Sequence, residues 1–520
     1  MHFNRVVCLF AFALSTAALG ETAPPPQRTI TLEECVQLAL QHNLDIQIQR
    51  YNPQIALFNL RSMYGSYNPS LSLGFSEGNS QQLPGYNPLY GSYPGATDQN
   101  ENFSAGVSGL LPWGTSYEVG ANLGNTDFAS TLIVTNIVTD PVTGEPVSTN
   151  ATAVPISRRQ VSGNMGVLTL RQPLLQGFWI DGTRYNIALS KNSLKSSELG
   201  VRYQIMTTIT SVESSYYTLI YSFDEVKVQE KAVELAEKLL AENKKRVEVG
   251  AMAPLDEKQA EAQLASSKAD LLTAQRNLAV SQNSLKALLT DDYSHWHGTE
   301  LRPATKLVAV PVSLDTRESW GRALAQRPDI LQARLNLDRL GVALTYQKNQ
   351  IYPRFDVVGR VGYSASSRNY DGALRQWGQG DAPFSSIGVE FSMPLGNQAA
   401  RNSYKTAKAQ REQEELRIKQ MEQGVMMTID NAITLVRTSL ERVNATREAR
   451  VYSQAAMDAE VKKLENGKST NFEVLRLQRD LTSAMSAEIQ ALAAYNVALA
   501  QLAFAEGTTL ERHKLDFTLK

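Results

Sequence analysis

The chain has 520 residues, of which 42% are hydrophobic and 20% are charged, close to the proportions of an ordinary soluble protein. Its formal net charge of -1 gives no indication of the basic surface that would favour nucleic acid as a partner. Composition therefore names no function, and the order of the residues has to supply it.

Residues 1–20 have the pattern of a secretory signal peptide. Arg5 precedes an apolar run from Val6 to Leu14, and Ala18-Leu19-Gly20 supplies the small residues that a signal peptidase accepts. We therefore expect an exported protein, whose mature part contains Cys35 as its single cysteine and no intramolecular disulfide. No later segment approaches the ~18 consecutive apolar residues of a membrane-spanning helix. Entry into a membrane would therefore require a closed β-barrel.

The two halves of the sequence repeat each other. The segment ALQHNLDI, which starts at Ala39, corresponds to ALAQRPDI, which starts at Ala323, and the offset of 284 positions holds over the whole block. A constant offset that is sustained in this way is hard to obtain by chance. The sequence therefore predicts an internal duplication, with a first repeat at residues 21–300 and a second repeat at 301–520.

Each repeat is predicted to contain a helix, two strands, a long helix and a further helix. The first helices start at Thr31 and Asp315, and each start has a glutamate three residues later, which is the spacing of a capping box. In the second repeat no proline follows Leu395, and Ala, Gln, Glu, Leu and Arg dominate. A helix over residues 402–464 would extend roughly 95 Å, which is too long for a compact globule.

A glycine ends each long helix. Gly250 and Gly467 are equivalent positions at an offset of 217. Only glycine adopts the left-handed conformation of a helix end without steric cost. Pro254 suits the first turn of the helix that follows, and Thr470 with Glu473 has the spacing of a capping box. Both sites are predicted to be tips of helical hairpins.

The predicted strands alternate apolar and polar side chains. Asp356, Arg360 and Glu390 fall on the polar face, as a water-filled membrane barrel requires, although a half-exposed soluble sheet has the same pattern. Two strands in each repeat make four, and the smallest closed membrane barrels have about eight. Several copies of the chain would therefore share one barrel. The alternating segments are residues 70–76 and, within a strand pair at 353–394, residues 355–364 and 387–393.

The first repeat contains a long insertion at residues 77–164, rich in Gly, Asn, Ser, Thr, Pro and Tyr. Within it, residues 103–123 have two alternating arms on either side of Pro112-Trp113-Gly114, which predicts a hairpin. Its place stays open at this point. Either it adds two strands to the barrel or it forms part of a long outer loop.

The chain as a whole resembles the TolC-like outer membrane efflux protein family. The resemblance rests on the duplicated plan, on the prolines before the strands (Pro69 and Pro353), on QPLL and MPL after the second strand of each repeat, and on VGAMAPLD and NGKSTNFEVL at the hairpin tips. It implies an α+β membrane protein, a homotrimer whose twelve strands form one outer-membrane β-barrel, continued by a periplasmic α-helical barrel. It further implies the exit duct of a tripartite efflux or type I secretion system, served by a periplasmic adaptor and an inner-membrane pump.

The resemblance also assigns roles to residues at the tips. The turns that meet the adaptor correspond to Val249, Gly250 and Ala251 and to Asn466, Gly467 and Lys468. The family often has an acid six residues after each tip glycine, where it narrows the periplasmic entrance, and these positions hold Asp256 and Glu473. Six carboxylates in a trimer would favour cations.

The sequence departs from the family pattern near this entrance. Arg476 stands where a second acid is common, and pairing of Arg476 with a neighbouring carboxylate would weaken the preference for cations. The polar-face residues Asp356, Arg360 and Glu390 mix both signs of charge, so they predict no clear selectivity in the barrel lumen.

No motif of a phosphate-binding loop, a zinc protease or a serine hydrolase occurs in the sequence. We therefore predict no enzyme, no cofactor and no metal site. The rival interpretation is an exported coiled-coil scaffold or adhesin with a soluble β head and no channel. Detergent dependence separates the two, because a barrel with an apolar outer face aggregates without detergent.

Overall fold

The computed structural model of the protein describes residues 27–87, 91–250 and 252–515. The predicted signal peptide and Ala251 therefore lie outside the described residues. The chain divides into two compact units. We call them the helical unit (Met1–Gln47, Gln204–Arg322 and Thr428–Asp516) and the sheet unit (Ile48–Tyr203, Ala323–Met427 and Phe517–Lys520).

Helices make up most of the described chain, and several match between the predicted repeats in both order and length. The α-helices are α1 (Leu32–His42), α2 (Leu44–Tyr64), α3 (Gly182–Glu248), α4 (Pro254–Leu289), α5 (Tyr293–Trp296), α6 (Thr316–Gln326), α7 (Pro328–Asn349), α8 (Tyr370–Gln379), α9 (Gln398–Glu465), α10 (Asn471–Glu506) and α11 (Thr509–Arg512).

The strands of the described chain are β1 (Gln27–Ile30), β2 (Ser70–Gln81), β3 (Gly85–Asn87), β4 (Gly91–Tyr93), β5 (Thr97–Leu110), β6 (Ser116–Thr139), β7 (Pro146–Pro173), β8 (Glu300–Pro303), β9 (Arg354–Ser367) and β10 (Pro383–Ser392).

The predicted capping box is complete at the start of α1 in the first repeat. At the start of α6 in the second repeat only one of its two interactions forms. Thr31 and Glu34 form a full capping box at the start of α1. Asp315 accepts hydrogen bonds from the main-chain N–H groups of Arg317 and Glu318. The Glu318 side chain binds Arg322 instead of returning to the cap.

The long helices are where the sequence placed them. The helix predicted over residues 402–464 is α9, with 68 residues, and its counterpart α3 has 67. Each is followed by a helix of 36 residues, α4 or α10. None of the described helices is long and apolar enough to cross a membrane.

In the helical unit, short parallel strands and aromatic side chains fix the packing of the helices. β1 pairs in parallel with β8. The buried Tyr216 of α3 donates its hydroxyl to the carbonyl oxygen of Ile30, 3.1 Å away, and lies 3.0 Å from Oγ1 of Thr305. A buried polar tip that is fully paired in this way gives the helix a defined position against the small sheet.

In the sheet unit, six strands form one antiparallel sheet in the order β10-β9-β7-β6-β5-β2. The expectation of four strands is therefore wrong. The hairpin predicted at residues 103–123 is β5–β6, with its turn at 111–115, and it lies in the sheet between β2 and β7. Because Asn, Ser and Gly are frequent in β5, its local sequence gave only a weak strand signal.

Over the half of the sheet that contains the first residue of β2 and the last residue of β10, one face is apolar and exposed, and the other is polar. On the apolar face Leu73 is 75% exposed and Ile387 is 83% exposed. Asp356, Arg360 and Glu390 share the other face, as predicted, because side chains alternate along a strand and Glu390 is directly opposite Asp356. The single chain leaves this apolar face exposed.

Candidate functional site

The two hairpin tips belong to the helical unit, and glycine produces both turns. Gly250 has φ +73° and Gly467 has φ +68°, as the sequence predicted. After α9, the N–H of Lys468 donates to the carbonyl oxygen of Lys463 at 2.8 Å, and the N–H of Gly467 donates to Leu464 at 3.1 Å. This is a Schellman motif, which satisfies the last carbonyl groups of the helix.

The helices that leave the tips start at the predicted positions, but only half of the predicted capping box of α10 forms, because the side chain of Glu473 binds Arg476. Pro254 occupies the first turn of α4. Thr470 caps α10 by accepting a hydrogen bond from the N–H of Glu473. Val249 is 78% exposed at the first tip. Small, exposed turns on rigid helices are suited to contact another protein.

A buried asparagine joins the two tips. Nδ2 of Asn471, which is 1% exposed, donates to the carbonyl oxygen of Asp256 at 3.3 Å. Beside it, Leu464 and Val474 form part of an apolar cluster against which Met252 packs. The first turns of α4 and α10 are therefore held together by one side-chain hydrogen bond and by apolar contacts.

The predicted entrance carboxylates have different surroundings. Oε2 of Glu473 lies 2.7 Å from Nη2 of Arg476, one turn further along α10. Asp256 forms no ion pair with any described residue. The anticipated pairing of Arg476 is thus present within one chain, and it leaves Asp256 as the carboxylate with uncompensated charge.

A second acidic group lies just before the tip of α9. Glu460 receives hydrogen bonds from Nζ of Lys463 at 2.8 Å and from the hydroxyl of Ser469 at 2.6 Å. The bond from Lys463, followed by that from Ser469, lowers the pKa of Glu460 below its usual value. The hydroxyl of Ser469 thus ties the turn to the end of its own helix.

In the sheet unit, the predicted polar-face residues fall into two groups. Nη1 of Arg171 lies 3.0 Å from Oδ2 of Asp356 and 2.7 Å from Oε2 of Glu390. Arg354 adds a longer contact of 3.6 Å to Asp356. Arg360 lies apart, with its guanidinium 5.6 Å from the ring centre of Phe384. The structure therefore brings Asp356 and Glu390 together and separates Arg360 from them.

Three residues of these sites were not predicted from the sequence. Arg171 stands just before the motif QPLL and Arg354 just after Pro353, and the alternation of VLTLRQP would have placed Arg171 on the polar face. Asn471 gave no local signal, because its function depends on Asp256, 215 residues away along the chain.

The outer membrane efflux protein family matches residues 145–290 and 320–508 of the chain. Among curated relatives, TolC of Escherichia coli (strain K12) is 23% identical over 311 residues, which cover 58% of this chain and 62% of TolC. Nodulation protein T of Rhizobium leguminosarum bv. viciae is 24% identical over 314 residues, 59% of this chain and 63% of that protein. The matches thus span less than two thirds of these relatives.

The fold is similar to those of solved outer-membrane channels. The channel OprN superposes with a TM-score of 0.65 at 17% identity, over 92% of this chain and 90% of OprN. The Campylobacter jejuni CmeC outer membrane channel gives a TM-score of 0.64 at 16% identity, over 93% of this chain and 90% of CmeC. At such identities the likeness concerns the fold alone.

Proposed function

The chain belongs to the outer membrane efflux protein family, and on this premise we propose that it is the outer-membrane channel of a tripartite efflux or type I secretion system. It is an outer-membrane protein with its helical barrel in the periplasm. In this proposal it is a passive exit duct, to which an inner-membrane pump delivers substrates through a periplasmic adaptor.

The observation that carries the proposal is the exposed apolar face of the sheet. A soluble monomer rarely exposes a contiguous apolar patch of this extent, whereas lipid covers such a face in a membrane barrel. The opposite face, with its serines, glycines and ion pairs, suits a water-filled lumen. The exposed side chains of the two edge strands are Leu71, Leu73, Phe75, Ile387, Val389 and Phe391.

The internal duplication supports the same assembly. Helices α3 and α4 have 67 and 36 residues, and α9 and α10 have 68 and 36. We assign the first repeat to residues 21–300 and the second to 301–520, after a signal peptide at 1–20. In a homotrimer, six such hairpin units would form the wall of the helical barrel.

The hairpin tips are the proposed contact with the adaptor. By sequence position, the proposed contact residues are Val249, Gly250 and Ala251 at the first tip and Asn466, Gly467 and Lys468 at the second. Asn471 links the two helices that leave these turns. An adaptor would therefore meet two tips in a fixed relative position, which reduces the entropy lost on binding.

The proposed entrance constriction consists of Asp256, Glu473 and Arg476. Each chain contributes two carboxylates and one guanidinium, because Arg476 pairs with Glu473. Three chains would place six carboxylates and three guanidinium groups around the axis. The surplus of negative charge favours cations, but more weakly than six unpaired carboxylates would.

The lumen of the β-barrel would be nearly neutral at its helical end. Arg171 and Arg354 offset Asp356 and Glu390 within each chain, and Arg360 lies in the same lateral row of the polar face as Glu118, so that the positive and negative charges balance. Ion preference would therefore be set mainly at the periplasmic entrance. No catalytic step is needed in this function, since the pump supplies the energy.

Membrane fractionation tests the proposal. The full-length protein should sediment with the outer membrane, resist extraction by high salt or carbonate, and remain monodisperse only in detergent. An exported scaffold with a soluble β head would be released by carbonate and stay monodisperse without detergent. That result would reject the channel.

A further inference from the structure

The inserted hairpin β5–β6 changes the size of the barrel that this chain can build. It stands between β2 and β7, so that the sheet of one chain has six strands and two free edges, β2 and β10. β5 pairs with β2 from Thr97 to Ser108 and with β6 from Thr97 to Leu110. The hairpin is thus an integral part of the sheet.

Side chains continue the two faces of the sheet through the insertion. Phe75 of β2, Phe103 of β5 and Leu123 of β6 are directly opposite one another, and the rings of Phe75 and Phe103 are 4.8 Å apart. On the other face, Ser70 is opposite Ser108. Helix α8 packs against Phe103 and Leu123. Nearer the turn of the hairpin, Leu71, Val107 and Val119 are directly opposite one another and exposed, so that β5 and β6 extend the apolar face there and the polar face beside it.

The turn of the hairpin is fastened beside the start of α3, at the end of the sheet where the other strands connect to helices. Gly114, with φ +94°, packs so closely that a Cβ atom would lie 2.9 Å from Nη2 of Arg184. Arg184 itself binds Asp181 and the carbonyl oxygen of Gly177, each at 2.7 Å. The hairpin therefore spans the sheet down to this end, which we call the helical end.

The strands are staggered as in a closed barrel. Ser70, the first residue of β2, lies in one lateral row with Ser386 of β10, whereas β10 reaches the helical end six residues later, at Ser392. Six residues correspond to ~20 Å along the strands, and six strands to ~29 Å across them, which gives a tilt of roughly 35°. Barrels have tilts in this range. The row runs through Ser70, Ser108, Glu118, Thr169, Arg360 and Ser386.

We propose that β2 of one chain pairs with β10 of a second copy, Ser70 opposite Ser392, and that three copies close an eighteen-stranded barrel. The inference rests on the trimer of the proposed function. All ten residues of β10 find partners on the twelve of β2 in this register. Because the offset is even, Leu73 comes to lie opposite Val389 and both stay on the apolar face. The two edges are also antiparallel, as barrel closure demands.

The proposed barrel is much wider than one of twelve strands. At a strand spacing of ~4.8 Å and the tilt above, eighteen strands give a backbone diameter of roughly 34 Å, against roughly 22 Å for twelve. Barrels of sixteen to eighteen strands leave an aqueous channel. The outer-membrane exit would therefore admit bulkier cargo than a twelve-stranded barrel does.

Cysteine accessibility on β5 tests the strand number. Val107→Cys and Ser108→Cys are made singly in the full chain in proteoliposomes, and treated with a charged methanethiosulfonate that does not enter lipid. Ser108→Cys, on the polar face, should react at least about tenfold faster than Val107→Cys, on the lipid face. Ser386→Cys and Ile387→Cys on β10 are the matched control pair. The native Cys35 is fully buried and adds little background.

The outcomes separate the two proposals. Alternation on both β5 and β10 supports the eighteen-stranded wall. Alternation on β10 with equal reactivity of the two β5 positions would place the hairpin outside the wall and overturn this inference, while leaving the channel intact. Loss of alternation on both strands would overturn the membrane barrel itself. A cryo-EM cross-section of the detergent-purified protein should contain eighteen strands, and twelve would refute the inference directly.

Discussion

Nη1 of Arg171 and Oδ2 of Asp356 are 3.0 Å apart, and this contact joins β7 to β9 on the polar face of the sheet. Asp356 is 3% exposed, so its carboxylate has lost most of its hydration. The ion pair with Arg171 compensates for that loss. The same guanidinium binds Glu390 of β10. One side chain thus connects three neighbouring strands near the end of the sheet that meets the helices.

Replacement of this arginine should weaken the sheet. Arg171→Met leaves Asp356 with the longer contact to Arg354 alone, so we expect a loss of about 3 kcal/mol in the free energy of unfolding, as is typical when a buried ion pair loses one partner. Thermal or urea unfolding in detergent measures it. Arg360→Met, on the same face and in no ion pair with a described residue, is the control and should cost less than about 1 kcal/mol. Equal losses in both variants would contradict this account of Arg171.

The tip glycines should tolerate asparagine better than alanine. Nothing lies within 4 Å of a Cβ atom placed on Gly467, so the cost of a side chain there is purely conformational. Gly467→Ala should lower stability by about 1 kcal/mol, because alanine resists positive φ, while Gly467→Asn should cost less. Unfolding midpoints of both variants test this order. An alanine variant as stable as the wild type would show that the turn relaxes to another conformation.

The buried thiol of Cys35 should make stability depend on alkaline pH. Burial raises the pKa of Cys35 from 9.0 to about 12. Because the pKa is higher in the folded protein, the contribution of the protonated thiol to stability is complete below pH 9. It is lost as the pH rises toward 12. At pH 10 the free energy of unfolding of the wild type should be lower by about 1.4 kcal/mol because of this thiol. Cys35→Ala should not show this loss. Unfolding of both proteins at pH 8 and pH 10 measures the difference, and parallel losses would refute it.

Local chemistry made much of the helical architecture predictable from the sequence. The capping box at Thr31, the proline at the start of α4 and the left-handed conformation of Gly250 and Gly467 each depend on residues within a few positions of one another. The side-chain contact of Glu473 was harder to predict, because Arg476 competes with the helix cap for its carboxylate. The capping pattern correctly located the helix start, whereas the ion pair was indicated only by the position of Arg476 three residues after Glu473.

The sheet was less predictable, since its order depends on distant segments. The strand β5 lacks β-branched residues over most of its length, and the partners on either side give it its place. Arg171 and Asp356 are separated by 185 residues along the chain. No local pattern could have indicated that contact, and the bulge in β7 between Met165 and Leu168 also shifts the register beyond what alternation alone predicts.

Cysteines on the two edge strands should crosslink between copies. With Ser70 opposite Ser392, Leu73→Cys/Val389→Cys and Ser76→Cys/Ser386→Cys bring two thiols to directly opposite positions, close enough for a disulfide. Oxidation should yield covalent trimers on a non-reducing gel. Ser72→Cys/Ser386→Cys is four residues out of register and serves as the control. Crosslinking of the control in place of the matched pairs would reject the proposed register.

Removal of single charges at the periplasmic entrance should change the preference for cations over anions, with a direction set by the sign of the charge removed. Arg476→Gln frees the carboxylate of Glu473 from its partner at 2.7 Å and should increase the preference for cations over anions. Asp256→Asn removes the unpaired carboxylate and should decrease it. Reversal potentials in a salt gradient compare the two variants. Opposite signs are expected, and shifts of the same sign would remove these residues from the proposed constriction.

The central claim, a channel with a carboxylate constriction, is tested most directly by single-channel conductance of the detergent-purified protein in a planar bilayer. The wild type should open discrete, cation-preferring channels. Asp256→Asn/Glu473→Gln should raise the conductance or abolish the cation preference. A protein that stays soluble without detergent and never conducts would contradict the channel, and conductance identical in wild type and double variant would contradict the constriction.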